Sequence, residues 1–210
     1  MMDTSENYLT REEEKTLLKI ARAVLEAHLK ERRRVNANSF GPTSARIMDR
    51  YTGALLEKHG AFVTLRRHGE LRGCIGYTAN ETPLVRAVEE NAINAATRDY
   101  RFPTVTTEEL DDITIEISAL TPGDSPETPF KKVNDVSEIV IGRDGLYIER
   151  PPMRGGILLP QVAVEQGWDV PRFLSAVCRK AGYPDGAWEQ PSYNLYRFSA
   201  QVFSEEDMQE

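Results

Sequence analysis

The chain has 210 residues, 40% hydrophobic and 28% charged, ordinary proportions for a globular protein long enough to bury a sizeable core. Its 26 lysines and arginines face 33 aspartates and glutamates, a formal net charge of -7, which argues against nucleic-acid binding because phosphate affinity rests on clustered positive charge. Two cysteines without a CxxC pair imply no disulfide framework; with a polar, acidic start that predicts no secretory leader and apolar runs too short to span a membrane, the expectation is a soluble cytoplasmic protein.

Residues 1–9 read as a loose lead-in. Thr10-Arg11-Glu12-Glu13 is a capping-box pattern. Behind it Leu17, Ile20, Ala21, Val24, Leu25 and His28 recur at helical spacing, predicting an amphipathic helix that closes in the basic run 30–34. Residues 36–42 form a polar break, and a second helix is predicted from about Thr43, with Ile47, Met48, Tyr51, Ala54 and Leu55 on one side and Gly60 as its cap. Two strands follow, 61–67 and 71–77, joined through His68-Gly69-Glu70. Thr82-Pro83 opens an alanine-rich helix whose inner face is Leu84, Val88, Ala92, Ala95 and Ala96. Residues 111–120 alternate, with Ile113, Ile115 and Ile117 on one face, as in a half-buried strand.

Pro122, Pro126 and Pro129 mark 121–130 as a loop or crossing. Residues 139–141 and 146–148 flank Arg143-Asp144-Gly145, a second hairpin signal. Gly155-Gly156 precede a short strand at 157–159, and 161–165 suit one helical turn. Pro171 starts a helix with Phe173, Leu174, Val177 and Cys178 on one face, ended by Gly182. Residues 193–203 read as a closing strand. The chain thus reads as the lead-in 1–9, a single domain 10–205 divisible into lobes of about 10–120 and 121–205, and an acidic tail 206–210. Hairpins mixed with helices, without regular βαβ alternation, indicate an α+β fold.

The stretch richest in chemistry is Leu71-Arg72-Gly73-Cys74-Ile75-Gly76. Cys74 is the candidate catalytic residue, a nucleophile or soft ligand; Arg72 beside it favours the thiolate, and Gly73 and Gly76 let something approach the backbone. A small buried thiol fits the same position. A nucleophilic cysteine needs a base, and His28, His59 and His68 are not placed by the sequence as evident partners. A second cluster comprises Asn91, Asn94, Arg98, Asp99 and Arg101. An aspartate beside arginines can fix guanidinium groups that grip a carboxylate or phosphate, and it can equally close the helix as a structural ion pair. Thr78-Ala79-Asn80-Glu81-Thr82 leads the glycine-rich strand into a helix N-terminus, an anion-binding arrangement that matches neither phosphate-loop signature. Glu108-Glu109 and Asp111-Asp112 read as solvated edges, and Cys178 as core. No HxH, HExxH or Cys/His cluster points to zinc or iron, so no metal or other cofactor is expected.

Three segments in order, Gly60–Leu65 with the LRGCIG hexapeptide, Ala95-Ala96 with Asp99-Tyr100-Arg101-Phe102-Pro103, and Leu158-Leu159-Pro160-Gln161-Val162-Ala163 with Gly167-Trp168-Asp169 and Phe173-Leu174, resemble the AMME-chromosomal-region (AMMECR) protein family. The resemblance runs from about residue 10 to 205, and LRGCIG is its most specific element. Tyr100 and Thr104 depart from it, standing where prolines are expected. It implies an α+β fold of two closely packed lobes with antiparallel or mixed sheet and flanking helices, in a family without an established biochemical activity. Family members found beside or fused to a Memo-like protein, and beside a radical-SAM protein, imply partners of those kinds. Two functional readings stand. In one, the chain is an enzyme or enzyme subunit whose pocket, built by Arg72, Gly73, Cys74, Gly76, Asp99 and Arg101, acts on a small anionic or modified substrate. In the other it is a non-enzymatic adaptor whose LRGCIG strand docks a protein or ligand.

Overall fold

In the computed structural model, which describes residues 8–30, 51, 53–78, 81–125 and 128–208, Thr10 caps helix α1 (Arg11–Lys30) as its sequence dictates. The Thr10 hydroxyl accepts the Glu13 amide at 3.3 Å, and Glu13 Oε2 accepts the Thr10 amide at 2.9 Å. Leu17, Leu18, Ala21 and Leu25 form the buried stripe of this helix. The polar break at 36–42, most of the helix expected from Thr43, and the middle of the 78–82 link lie outside the described residues. The described end of that expected helix is a 3-10 turn, Gly53–Leu56, rather than α-helix. Gly53 has φ +65, a left-handed conformation that cannot continue a right-handed helix.

The described chain forms two units, one running to Ala119 and resuming at Gln201, the other spanning Leu120–Ala200. In the first, β1 (Ala61–Arg67), β2 (Glu70–Tyr77) and β3 (Ile113–Leu120) pair antiparallel in the order β2-β1-β3. Arg67 pairs with Glu70, so the hairpin turns on two residues, His68 (φ 52) and Gly69 (φ 82). Two left-handed residues make the turn whose twist matches the flanking strands. Leu65 pairs with Gly73 but Arg66 pairs with Leu71, which leaves Arg72 as the extra residue of a β-bulge. Helix α2 (Leu84–Thr97) begins one residue later than expected because Pro83, at ψ 140, is itself the extended cap. The 3-10 turn Thr107–Asp112 likewise delays β3 to Ile113. Ala61, Val63 and Leu65 of β1 and the isoleucines of β3 share one core with the apolar faces of α1 and α2.

In the second unit, β5 (Asp144–Arg150) pairs with β6 (Met153–Leu158) and with β7 (Asn194–Ser204), and β7 also pairs with the short β4 (Lys131–Lys132), all antiparallel. The end of β7, from Gln201, belongs to the first unit. Helices α3 (Pro160–Glu165) and α4 (Val170–Lys180) follow β6, the latter capped by Asp169, whose carboxylate accepts the Arg172 amide at 3.0 Å. Cys178 is fully buried in a core with Leu146, Ile148, Phe173 and Leu174.

The expected hairpin of 139–141 against 146–148 does not form. Asp144 folds inward: its carboxylate accepts the Val140 amide at 2.9 Å and its own amide donates to the Val140 carbonyl at 2.9 Å. That closed turn leaves β5 to find its partners in β6, across Pro151-Pro152, and in β7. Both glycines of Gly155-Gly156 lie inside β6 rather than before it. The architecture is α+β, antiparallel strands flanked by helices. Among the described residues no helix is long and apolar enough to cross a membrane.

Candidate functional site

Cys74 lies directly opposite Thr64 in the β1-β2 ladder, and its amide donates to Asp99 Oδ2 at 2.8 Å instead of to β1. The two residues are therefore a non-hydrogen-bonded pair, the kind whose side chains come closest. The Thr64 hydroxyl accordingly donates to Cys74 Sγ at 3.3 Å. Glu116 of β3 lies opposite Thr64 on its other side and pairs with Arg66 at 3.5 Å. Its Oε1 is buried without a hydrogen-bond partner among the described residues.

Asp99 sits just past α2, and its side chain is only 3% exposed. Besides the Cys74 amide it accepts the Arg101 amide at 3.2 Å, Arg101 Nε at 2.9 Å and Arg101 Nη2 at 2.7 Å. The Arg101 guanidinium, helped by the Cys74 amide, holds the Asp99 carboxyl at about 2. Arg101 is held more firmly protonated in return. Its side chain remains 45% exposed, and Nη1 has no hydrogen-bond partner among the described residues. The result is a guanidinium oriented on one edge by a buried carboxylate and open on the other.

Arg72 is placed differently. The bulge aims it at Glu109, which it grips through Nε at 2.8 Å and Nη2 at 3.0 Å, while Nη1 donates to the Pro103 carbonyl at 2.9 Å. Both side chains are 12% exposed, and Arg72 holds the Glu109 carboxyl at about 2. Glu109 is thus no solvated edge. Its signal in the sequence is the pair Thr106 and Glu109, a second capping box in which Glu109 Oε2 accepts the Thr106 amide at 2.9 Å.

The space beside the two glycines is occupied by the protein itself. A Cβ on Gly73 would stand 2.2 Å from the Ala95 carbonyl oxygen of α2, and one on Gly76 2.2 Å from Cδ1 of Phe62. Asn91 and Asn94 tie α2 to the strands, donating to the Ala61 carbonyl at 3.1 Å and to the Tyr77 hydroxyl at 3.0 Å. Of the predicted residues, then, Cys74, Asp99 and Arg101 meet, Arg72 joins Glu109, and Gly73 and Gly76 are packing contacts. Thr64 and Glu116 are additions to the cluster.

Burial pushes the Cys74 thiol up, and Asp99 and Glu116 push the same way, against the Thr64 hydroxyl and the Arg101 charge. His59 stands with Glu57 at 3.4 Å and the Tyr8 ring at 4.6 Å, and His68 with Asp112 at 3.6 Å. His28 is on α1, its pKa lowered by burial. None of the three touches Cys74. A surface depression of ≈ 540 Å³ lined by Arg11, Glu14, Val202, Phe203, Glu206 and Asp207 shares no residue with this cluster.

The AMMECR1 family model matches residues 18–203. A protein of Methanothermobacter thermautotrophicus is 45% identical over 198 residues, covering 94% of this chain and 97% of the relative. A protein of Methanocaldococcus jannaschii is 45% identical over 203 residues, 94% of this chain and 92% of its own length. The crystal structure of an uncharacterized protein from Pyrococcus horikoshii matches with a TM-score of 0.74 at 37% identity, covering 91% of this chain and 90% of that one.

Proposed function

Starting from the premise that the chain belongs to the AMMECR1 family, we propose that Arg101 and the LRGCIG strand form a binding site for a small anionic ligand, with Cys74 a neutral thiol in its lining. The observation that carries this reading is the Arg101 guanidinium, held by buried Asp99 through Nε and Nη2 with Nη1 and nearly half of its surface left to solvent. A planar fork fixed before the ligand arrives suits a carboxylate or phosphate, because little freedom remains to be lost. Arg98, three residues earlier, is also exposed and adds to the positive field of this turn. Inorganic phosphate titrated against the full chain, followed by the amide signals of Cys74 and Arg101, should give a saturable shift. Arg101→Met should abolish it, and an unchanged response in that variant would sink the reading.

The enzyme reading keeps one specific support. The Thr64 hydroxyl at 3.3 Å and the Arg101 charge both favour a thiolate at Cys74. Cys74→Ser separates the two readings: phosphate binding should survive it, whereas a nucleophilic role requires loss of activity without loss of stability. The Memo-like and radical-SAM partners rest on the family relationship alone, and purified proteins of those kinds offered to the wild-type and Arg101→Met chains test them. Both cysteines are free, which suits a reducing compartment such as the cytoplasm.

A further inference from the structure

The second unit carries its own group of polar and aromatic side chains, on the sheet face opposite its core. Tyr147 of β5 and Tyr196 of β7 are direct cross-strand partners, with ring centroids 5.9 Å apart. Phe130 stacks on Tyr147 at 4.6 Å and lies 6.0 Å from Tyr196. Glu149, two residues along β5 on the same face, receives the Tyr147 hydroxyl on Oε2 at 2.8 Å and the Tyr196 hydroxyl on Oε1 at 3.5 Å. On β6 a Cβ at Gly155 would stand 2.5 Å from Cε2 of Tyr147, so the glycine admits the ring and Phe130 covers it. The phenol is fixed by that packing before any ligand arrives.

The carboxylate is the anomaly. Three described carboxylates of this unit are not exposed: Asp144, Glu138 and Glu149. Asp144 pairs with Arg143 at 2.6 Å and Arg197 at 3.8 Å, and Glu138 with Arg197 at 3.5 Å. Among the described residues, Glu149 has hydrogen bonds from neutral phenols and no cation. Lys132, opposite Tyr196 on β4, is exposed and forms no ion pair with it. Half-buried carboxylates are normally matched by a positive charge, and aromatic faces attract one as well.

We propose that Glu149, flanked by Tyr196 and Phe130, is a receptor for a guanidinium group. Each carboxylate oxygen carries one phenol hydrogen bond, which fixes the plane of the group and leaves a lone pair on each for parallel N–H donors. A guanidinium supplies that fork and is flat enough to lie on the half-exposed Tyr196 ring; an ammonium is a compact, strongly hydrated point charge. Burial and the carboxylate together push the Tyr147 phenol up to about 12 and the Tyr196 phenol upward, so both remain donors across the ordinary pH range.

The test titrates agmatine and N-acetyl-arginine amide into the full chain with ring-labelled tyrosine. The expected result is a saturable shift of the Tyr147 and Tyr196 signals, weakened by salt and at least about tenfold weaker in Glu149→Gln, a loss of roughly 1.4 kcal/mol. Tyr196→Phe keeps the ring and should weaken binding by a smaller factor. Agmatine binding with no response to the capped arginine assigns a free small molecule, and the reverse assigns an arginine of a peptide. Absence of a saturable shift at millimolar probe, equal binding to a folded Glu149→Gln chain, or equal binding of tetramethylammonium would overturn the proposal.

Discussion

Strands β2 and β6, one in each unit, use their paired glycines alike. In each, one glycine lets a helix end or helix backbone come close, Gly73 against the Ala95 carbonyl and Gly156 against the Ala181 amide. The other admits a ring from the adjacent strand, Gly76 against Phe62 and Gly155 against Tyr147. What differs lies beyond the glycines. Beside β2 a buried aspartate holds the Cys74 amide and is itself held by Arg101, while beside β6 stands a carboxylate tied, among the described residues, only to phenols. Glycines in a strand therefore report close packing in both units, and the charged groups around them are what distinguish one surface from the other.

The comparison is most easily broken at the glycines. Gly73→Ala drives a Cβ into helix backbone, which cannot rotate away, and should cost about 3 kcal/mol or more in denaturant unfolding. Gly76→Ala meets chiefly the Phe62 ring and should cost less, and Phe62→Leu should recover part of that loss but none of the loss at Gly73. Equal costs at the two positions would dissolve the distinction between backbone and ring contacts.

Next in size is Arg101→Met, which leaves the buried Asp99 carboxylate with backbone donors only. A loss of about 2 kcal/mol is expected, moderated by the exposure of the arginine. Full stability in this variant would make the Asp99–Arg101 pair ornamental.

Acid should act through the same groups. Asp99 and Glu109 have folded-state values near 2, below their ordinary 3.8 and 4.5, so their stabilisation is fully present above pH of about 4.5. It is lost as pH falls toward about 2, Asp99 contributing on the order of 2 kcal/mol and Glu109 on the order of 3. Hydrogen exchange at the Cys74 amide should lose protection over that window, and in Asp99→Asn the pH dependence at this amide should flatten.

The smallest effect is expected at Glu149. Glu149→Gln keeps an acceptor for a phenol and removes an uncompensated charge, so unfolding should change by no more than about 1 kcal/mol in either direction. A large destabilisation would mean that the charge itself holds the fold together.

Elements governed by neighbours in sequence were legible before the structure. The Thr10 box, the buried stripe of α4 and the alternation around Ile115 each need only local spacing. The Cys74 cluster was only partly legible. Regular pairing across the three-residue link 68–70 already sets Thr64 opposite Cys74, the register that the two-residue turn and the bulge at Arg72 together produce, but Glu116 joins them only through the pairing of β1 with β3, some fifty residues on. Glu109 was hidden because its partners, Arg67 and Arg72, come from a hairpin some forty residues earlier. Asp144 misled for a related reason. Its flanks have the composition of an exposed turn, yet its carboxylate is turned inward, where it accepts the Val140 amide, the Ser199 hydroxyl and the Arg143 guanidinium.

The chain leaves the first unit at Ala119 and returns to it at Gln201. What returns is indispensable there: the Gln201 side chain bonds Leu9 and Glu14, Phe203 completes the core, and Glu205 engages Arg22. A ribosome therefore delivers every residue of the second unit before it delivers the last pieces of the first. We expect the second unit to reach its native form on the nascent chain while the first stays open to proteases. Stalled chains ending at Ala200 should be cleaved selectively before Ala119, and equal protection of both regions would contradict that order of birth.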